Sequence, residues 1–529
     1  MPQIVIVNVT QTIAPAPNLL QETGALISQG GTNTAPNTLS LLTQPADFTP
    51  LAVSALPITS LSWTPAESGT FNVSGGTYTT GTGVVSLTTD SAHGLSPGNA
   101  VTISGATGTG AFADIDGTWT CGSGTTGTTL NFTIATGLTM TITGGSYNSH
   151  GPLVNVTTTA PHGYQVGATF SMVIAGVAPA GYNGTYTATI TGASTFTYPL
   201  TSNPGSVTVE GTYVPASAAE LLSMVTTYFA QGFTQAVYVL ELGPTTAVQG
   251  IAALQAYLIA NPPQAWTAQD PTLYSVVVPR SWDAQATFLE LIADYESTTG
   301  LFYFFVTTTL GTYSSYTDLM KDVIALIEAP GVPSTEFSIA SAFHVWIGYT
   351  PSSVQAVTPF AFSEVAGVTP YPTKGNAALL QTLKTANVNV IGTGAEGGIS
   401  NTILLWGTTM DGHDATYWYS VDWVQININL DLSNAIINGS NDPQAPLYYD
   451  QPGINTLQAV AQATMTRGVQ FGLVLPPVQV TAVPFTTYVV ANPSDYPDGI
   501  YRGLAVSYTP QRGFIEIVFN VNVTEFPVA

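Results

Sequence analysis

The chain has 529 residues, of which 45% are hydrophobic and only 7% are charged, and its formal net charge at pH 7 is −23. Nucleic-acid binding and attraction to anionic membranes both depend on clustered Lys and Arg. With 7 basic residues, none before Arg280, the composition argues against the first function and excludes the second. The length predicts roughly two to four domains, and so few charges give little protection against self-association, which suits a chain that associates.

The cysteine content and the N-terminus indicate where the protein assembles. The only cysteine is Cys121, so no intrachain disulfide can form, which favours a reducing compartment. The N-terminus has neither the basic segment nor the apolar stretch of a secretory signal. No run reaches the ~18 apolar residues that a membrane-spanning helix needs. We therefore expect assembly inside the cell, without membrane insertion.

Both ends of the chain are predicted to be β-strands. Residues 4–10 read IVIVNVT, and residues 514–526 alternate apolar and polar side chains, the pattern of a half-buried strand. A strand at a chain end needs a sheet to join, and that sheet can belong to another molecule. The pattern therefore points to assembly rather than catalysis. The residues that carry it are Ile4, Val5, Ile6, Val7 and Val9, and Phe514, Ile515, Ile517, Phe519, Val521 and Val523.

A repeat lies in the first half of the chain. Residues 84–105 read VVSLTTDSAHGLSPGNAVTISG, and residues 153–176 read LVNVTTTAPHGYQVGATFSMVIAG. Short alternating runs separated by Gly, Pro and Asn are typical of all-β modules. We predict two such modules in tandem, at about 68–140 and 141–212. They would be inserted after residues 1–67, which hold the N-terminal arm and the start of the body.

After residue 213 the pattern changes to alternating strands and helices. Ser217 and Glu220 form a capping box at the start of a helix that ends before Gly232. The alternation predicts an α/β body with a largely parallel sheet over 213–386. The further predicted strands are 236–242, 273–278, 301–307 and 338–347, and the further predicted helices are 246–260, 283–297 and 315–328.

Residues 387–529 are predicted to form a C-terminal domain. It begins with a Gly-rich hairpin at 387–407 and continues with a Trp/Tyr-rich element at 416–437. That element fits neither period cleanly, and we interpret it as a helix. A helix at 455–469 and terminal strands within 474–526 follow. The fold class is therefore a mixed α+β and α/β multidomain protein with an all-β insertion and terminal strand arms.

Two glycine motifs resemble catalytic or nucleotide-binding sites. Gly94–Gly98 matches the serine-hydrolase motif GxSxG beside His93, but the second repeat has Gln165 in place of the serine, so what recurs is a turn. Gly392–Gly397 matches GxGxxG, but a dinucleotide site needs a helix to begin there, and the following residues read as a strand. We interpret both motifs as turns.

Acidic residues also invite a metal-site or glycosidase interpretation. Asp411–Asp414 has no second ligand cluster near it in sequence, and Asp114–Gly117 lacks the later ligands of a calcium loop. The 5 scattered histidines have no zinc spacing. A further set of carboxylates is better explained by an exposed helix face than by a glycosidase pair, namely Asp283, Glu290, Asp294 and Glu296. We predict no catalytic residue, no cofactor and no metal site.

Four segments of the chain resemble the contractile-tail sheath proteins of bacteriophages, specifically a subgroup known as a domain of unknown function. The segments are IVIVNVT with the Gly-rich stretch after it, SAAELLSMVTTYFAQG with AVYVLELG, TANVNVIGTG with LLWGTTMDGHDATYWYSVDWVQININ, and YYDQPGINTLQAVAQATMTRGVQFG with the closing strands. The resemblance covers residues 1–60 and 213–529. The β repeat at 68–212 departs from a minimal sheath and resembles decorating modules of phage structural proteins.

The resemblance implies subunits with an α/β body that stack as hexameric rings around a tail tube in the virion. The arms 4–10 and 514–526 would each add a strand to a sheet of a neighbouring subunit. The sheath would thus stay linked while it contracts and drives the tube through the host envelope. The helix around 454–467 would face the tube, with Leu457, Val460 and Arg467 in contact. The partners would be the tail tube protein, the baseplate and the tail terminator, with assembly in the host bacterial cytoplasm.

Two other functions are open at this point. A phage adhesin or baseplate component would hold host glycans through the β repeat and would be a compact oligomer. A hydrolase acting on cell wall or glycan is disfavoured, because each catalytic motif lacks its structural context. The terminal strands discriminate between the first alternative and a sheath, since only the sheath needs them in order to polymerise.

Overall fold

The structure is a computed structural model that describes residues 20–64, 70–79, 81–90, 93, 95, 97–110, 115–134, 140–148, 152–162, 164, 166–232, 235–262, 272–296, 300–317, 320–332, 335–372, 376–393 and 401–515. These residues divide into two compact units. The first contains the described residues up to Leu26, those within Thr227–Tyr238 and those from Ala256 onward. The second contains those within Ile27–Thr226 and Val239–Gln255.

Strands and α-helices are numbered in chain order. The strands are β1 (Gly24–Ser28), β2 (Thr38–Leu42), β3 (Leu56–Thr64), β4 (Thr70–Thr79), β5 (Val84–Thr89), β6 (Ala100–Gly110), β7 (Gly117–Thr120), β8 (Thr129–Thr133), β9 (Met140–Asn148), β10 (Leu153–Thr158), β11 (Thr169–Ala175), β12 (Gly184–Gly192), β13 (Thr195–Pro199), β14 (Thr212–Pro215), β15 (Val237–Glu241), β16 (Ser275–Val277), β17 (Tyr303–Thr308), β18 (Val323–Ile327), β19 (Asn389–Thr393), β20 (Thr402–Leu405), β21 (Val474–Ala482) and β22 (Leu504–Pro510). The helices are α1 (Ala216–Phe229), α2 (Ala247–Ala260), α3 (Ala286–Tyr295), α4 (Ser338–Ile347), α5 (Ala377–Thr385), α6 (Ala415–Asn441), α7 (Gln451–Gln470) and α8 (Phe485–Ala491).

The first unit is built on a largely parallel sheet. Its strands follow the order β1, β16, β17, β18, β19 and β20, and only the last pair is antiparallel. All residues of β16, β17 and β18 are buried, as expected when both faces of a parallel sheet are covered. The predicted parallel sheet is therefore confirmed.

Two predicted elements of this unit are wrong. The predicted helix at 315–328 is a short 3-10 turn at Tyr313–Tyr316 followed by β18, and the predicted strand at 338–347 is the helix α4. All of β18 and nine-tenths of α4 are buried, so neither element has an exposed face whose period would distinguish a strand from a helix. The helix predicted at 416–437 is confirmed as α6.

The second unit holds two all-β modules with separate hydrophobic cores. The outer module consists of β3 and β10–β14, which close into a barrel in the order β10, β13, β12, β11, β14 and β3. The inner module consists of β4–β9 in the order β7, β6, β9, β4, β5 and β8. The two orders correspond strand by strand when the barrel order is read as a closed ring. In this correspondence β5, β6, β7 and β8 match β10, β11, β12 and β13, while β4 matches β3 and β9 matches β14. The difference is that β12 pairs with β13, whereas no β7–β8 pairing closes the inner sheet.

The modules are nested and not in tandem, which corrects the predicted arrangement. The first strand of the outer module, β3, precedes the whole inner module and pairs with both β10 and β14. The predicted start at 68 thus omits β3, and the predicted division at 140/141 falls at the start of β9. The repeat signature covers only the four central strands of each module, so it cannot show which flanking strands complete each sheet.

Candidate assembly site

The C-terminal part of the first unit contains a sheet that has two strands among the described residues. β21 and β22 pair antiparallel, with Val480 opposite Val506 and Val474 opposite Pro510. An isolated two-stranded sheet is marginally stable in water, and its outer edges carry unpaired main-chain groups. Such a sheet is a template for strands from another chain. We call β21 and β22 the terminal sheet.

The two edges of the terminal sheet differ. β21 contains Pro476 and Pro477, and its register with β22 shifts between Leu475 and Gln479. Proline cannot donate to a ladder, so it weakens this edge for pairing. β22 has no proline before its last residue, Pro510, and its side chains alternate between exposed and half-buried along Leu504–Thr509. The edge of β22 is therefore the better acceptor for an added strand.

Helix α7 supports the terminal sheet from one face. Gly468 allows a close approach, because a Cβ there would lie 3.0 Å from Val474 Cγ2 and 3.2 Å from Trp423 Cζ3. The side chain of Gln458 donates a hydrogen bond to Val480 O at 3.0 Å. These contacts hold one face of the terminal sheet in place. They do not involve the edge of β22.

The residues predicted to face the tube lie on α7. Leu457 and Val460 are half-buried, whereas Arg467 is exposed and forms an ion pair with Asp431 of α6. The tube contact itself stays a prediction. From residue 455 to residue 466, the exposed residues of α7 are small or polar, namely Asn455, Thr456, Ala459, Gln462, Ala463 and Thr466.

The chain leaves the terminal sheet in a fixed direction. After β22, Gln511 N–H donates to Leu473 O at 2.8 Å, which continues the ladder by one more residue in the same direction. Gly513 N–H then donates to Asp414 Oδ2 at 3.0 Å, and the Arg512 guanidinium lies 4.6 Å from the centre of the Tyr417 ring. Residues 511–513 therefore run straight on, and they do not form the tight turn that a hairpin back onto β22 would need.

The predicted arms fall largely outside the described residues. Of the C-terminal arm, Phe514 and Ile515 are described, and the Phe514 side chain is 78% exposed. The remaining C-terminal arm residues and all of 4–10 lie outside the described part of the chain, so the pairing of both arms stays a prediction.

The histidines beside the GxSxG motif and its second copy make equivalent contacts. The His93 ring accepts a hydrogen bond from the N–H two residues later at 3.0 Å, and its Nε2 lies 3.0 Å from Thr129 O. His162 repeats both contacts, at 3.2 Å from the N–H two residues later and at 3.4 Å from Thr195 O. Burial lowers the pKa of His162, although the hydrogen bond to Thr195 O acts to raise it. The two histidines thus hold equivalent turns of the repeat.

The predicted hairpin is confirmed by the antiparallel pairing of β19 with β20; Gly392 and Thr393 of the GxGxxG motif lie in β19, and the rest of the motif lies outside the described residues. In the Asp411–Asp414 segment, Asp411 accepts hydrogen bonds from Thr409 Oγ1 at 2.6 Å and Trp418 Nε1 at 2.9 Å. Burial acts to raise the pKa of Asp411, but these hydrogen bonds outweigh it and hold the pKa below its usual range. Within the described residues, no group of three His, Cys, Asp or Glu side chains is arranged to hold a metal ion.

These features define a mixed α/β protein with a separate terminal sheet. Among the described helices, none combines the length and the apolar character that crossing a membrane requires. No protein-family profile and no curated protein matches the chain. Among solved structures, the chain is similar to a sheath tail protein from Listeria innocua, with 11% identity over 93% of this chain and 91% of that chain and a TM-score of 0.36.

Proposed function

We propose that the protein is a structural subunit of a contractile bacteriophage tail sheath, which polymerises around a tail tube through donated terminal strands. The observation that carries the proposal is the exit of the chain from the terminal sheet. Gln511 N–H continues the ladder past β22 and Gly513 N–H donates to Asp414, so the chain passes the end of β22 without turning back onto its own sheet up to Gly513. A neighbouring subunit's sheet is then the partner of the strand-like residues 514–526.

Strand donation supplies links that are strong yet compatible with movement. Each main-chain hydrogen bond contributes about 0.5–1.5 kcal/mol net, and burial of the apolar face of 514–526 adds about 25 cal/mol per Å². Such links form at the sheet edge and leave the remaining subunit surfaces able to slide. Contraction is then a switch between two packings of the same subunits, with no nucleotide or cofactor involved.

Negative-stain microscopy of the purified chain tests the proposal. Tubes or stacked rings are the expected result. Discrete trimers would instead favour the adhesin or baseplate alternative, in which the β modules hold glycans. Polymerisation at a range of salt concentrations is a useful addition, because subunits with a net charge of −23 repel one another and salt screens that repulsion, so tubes should form more readily at higher ionic strength.

Deletion of the two β modules is expected to leave polymerisation intact. Thr212 and Tyr213 of β14 pair with Pro57 and Leu56 of β3, so the outer module begins and ends at adjacent points. Removing residues 56–215 and joining the ends by a short Gly/Ser linker takes out both modules whole. Tubes without the modules, seen by negative-stain microscopy, are the expected outcome.

The matched control is the shorter deletion of residues 68–212, which the repeat alone would suggest. It leaves β3 in the chain without its partner β10 and with only Tyr213–Pro215 of its other partner, β14. We expect this variant to aggregate, because an unpaired strand exposes its main-chain groups. Loss of tubes from the 56–215 deletion, with the remaining protein folded, would place the modules in the assembly contacts and contradict the decorating role.

A further inference from the structure

Two buried carboxylates and one ammonium meet where helix α6 packs against the parallel sheet of the first unit. Asp422 of α6 and Asp322, the residue before β18, are both completely buried. Lys321 is buried beside them, and its Nζ lies 3.3 Å from Asp322 Oδ1. The Lys321 ammonium also donates a hydrogen bond to Gly300 O at 3.0 Å.

The carboxylate of Asp422 connects α6 to two strands. Its Oδ2 accepts hydrogen bonds from the hydroxyl groups of Tyr274, the residue before β16, and Tyr303 in β17, each at 2.8 Å. The Tyr274 hydroxyl in turn accepts a hydrogen bond from the Gln21 side chain at 3.3 Å. Three separated parts of the chain therefore depend on the position of one carboxylate.

The hydrogen bonding of the two carboxylates is incomplete. Among the described residues, Asp422 Oδ1 and both carboxylate oxygens of Asp322 accept no hydrogen bond. Asp322 Oδ1 does lie within ion-pair distance of Lys321, but without hydrogen-bond geometry. A buried, ionised carboxylate without donors is costly, whereas a carboxyl group that carries a proton is neutral and donates a hydrogen bond itself.

The charges around the pair favour one bound proton. Two carboxylates beside one ammonium leave one negative charge uncompensated, and Glu296 after α3 and Asp411 before α6 add negative charge to the same surroundings. The remaining titratable groups that face Asp422 are tyrosines, which are neutral at physiological pH. They are Tyr274 before β16, Tyr303 of β17, Tyr419 of α6 and Tyr508 of β22.

We propose that Asp322 and Asp422 hold one proton between them at neutral pH, and that this proton is the switch that fastens α6 to the parallel sheet. In the protonated pair, a hydroxyl replaces a buried charge, and the tyrosine hydrogen bonds to Asp422 keep their acceptor. Loss of the proton leaves two buried carboxylates against one ammonium, and α6 separates more readily from the sheet. Because β22 also contacts α6, the attachment of α6 bears on the terminal sheet.

The pKa shifts agree with this arrangement in sign. Burial raises the pKa of Asp322 to about 7, although Lys321 opposes it, and burial raises the pKa of Asp422 to about 6 against Lys321 and the two tyrosine hydroxyls. Both values lie above the ordinary value of 3.8. The folded state thus binds more protons than the unfolded state between pH 4 and pH 7. The stabilisation is complete below about pH 4 and is lost as the pH rises through about 6–7.

Hydrogen exchange of the α6 amides, measured by mass spectrometry at pH 5 and pH 8 and corrected for intrinsic exchange, tests the proposal. In the full-length protein we expect the opening equilibrium of α6 to rise by roughly a hundredfold between the two pH values. Asp322→Asn, which keeps the group neutral, should abolish most of this rise. The control Asp442→Asn changes an exposed carboxylate at the end of the same helix and should leave the rise unchanged.

The same pH dependence in Asp322→Asn as in the wild type would overturn the proposal. If that variant does not fold, Asp422→Asn provides the same comparison, since its amide oxygen still accepts the tyrosine hydrogen bonds. Infrared spectroscopy of the wild type supplies a readout without any substitution. A carbonyl band of a protonated carboxylic acid should be present near neutral pH and disappear above pH 8, and its absence at pH 5–7 would contradict the proposal.

Discussion

A chain that ends at Gly513 is expected to fold like the full-length protein and to stay monomeric where the full-length protein forms tubes. Within the described part of the chain, the hydrogen bond from Gly513 N–H to Asp414 fixes the segment that follows β22, so the truncation leaves the terminal sheet intact. The variant lacks the predicted strand 514–526, whose main-chain hydrogen bonds are worth about 0.5–1.5 kcal/mol each. Light scattering and negative-stain microscopy measure assembly, and circular dichroism measures folding.

A pair of full-length variants separates strand donation from a general effect of the truncation. The first variant combines Ile517→Ser, Phe519→Ser and Val521→Ser, which removes apolar side chains from one face of the predicted strand. The second variant combines Asn520→Ser and Asn522→Ser, which changes only the polar face. We expect the first variant to fail in assembly and the second to form tubes. Tubes from the chain that ends at Gly513 would show that the C-terminal arm is dispensable and would contradict the proposed mechanism.

Replacing Glu241 by Ala is expected to destabilise the second unit by at least about 3 kcal/mol. The carboxylate of Glu241, at the end of β15, is completely buried. Removing it leaves buried donors without an acceptor, and each such donor costs about 1–3 kcal/mol. Five hydrogen bonds are lost, from Ser28 Oγ (2.6 Å), Gly30 N (2.7 Å), Thr32 N (3.0 Å), Thr32 Oγ1 (2.7 Å) and Gly243 N (2.7 Å).

Hydrogen exchange of residues 27–32 measures this effect locally, which suits a chain with two units that need not unfold together. Glu241→Gln keeps the size of the side chain but points an amide donor at backbone donors, so most of the loss should persist. Glu364→Gln is the matched control, because Glu364 is exposed and should change stability by less than about 0.5 kcal/mol. Wild-type exchange in Glu241→Ala would mean that the carboxylate does not fix this loop.

The sequence predicts the fold best where a period is present. The helices α1, α2, α3 and α7 have a polar face or a recognisable start, and the alternating strands of the repeat stand between turn residues, so both types of element are predicted correctly. β18 and α4 lie where nearly every side chain is buried, and burial on all sides removes the period. Their identity depends on the neighbouring elements, which local sequence does not contain.

The candidate site is predictable only in part, for a related reason. The alternation of 514–526 indicates a strand that needs a partner, but it does not indicate which sheet edge accepts that strand. The weak edge at Pro476 and Pro477 and the straight exit at Gln511 depend on which residues pair with which. The Asp322–Asp422 pair is likewise invisible in sequence, because 100 positions separate the two carboxylates, and the tyrosines that bond Asp422 come from two other parts of the chain.

The nesting of the two β modules has a consequence for how such a chain can evolve. The inner module lies between Thr64 and Leu153, which are paired neighbours in the outer barrel, and the outer module itself begins and ends on the paired strands β3 and β14. At each level, the two points where the chain enters and leaves lie side by side. Recombination can therefore add, exchange or remove either module as a cassette. Surface features can then diversify while the α/β body keeps its own sequence.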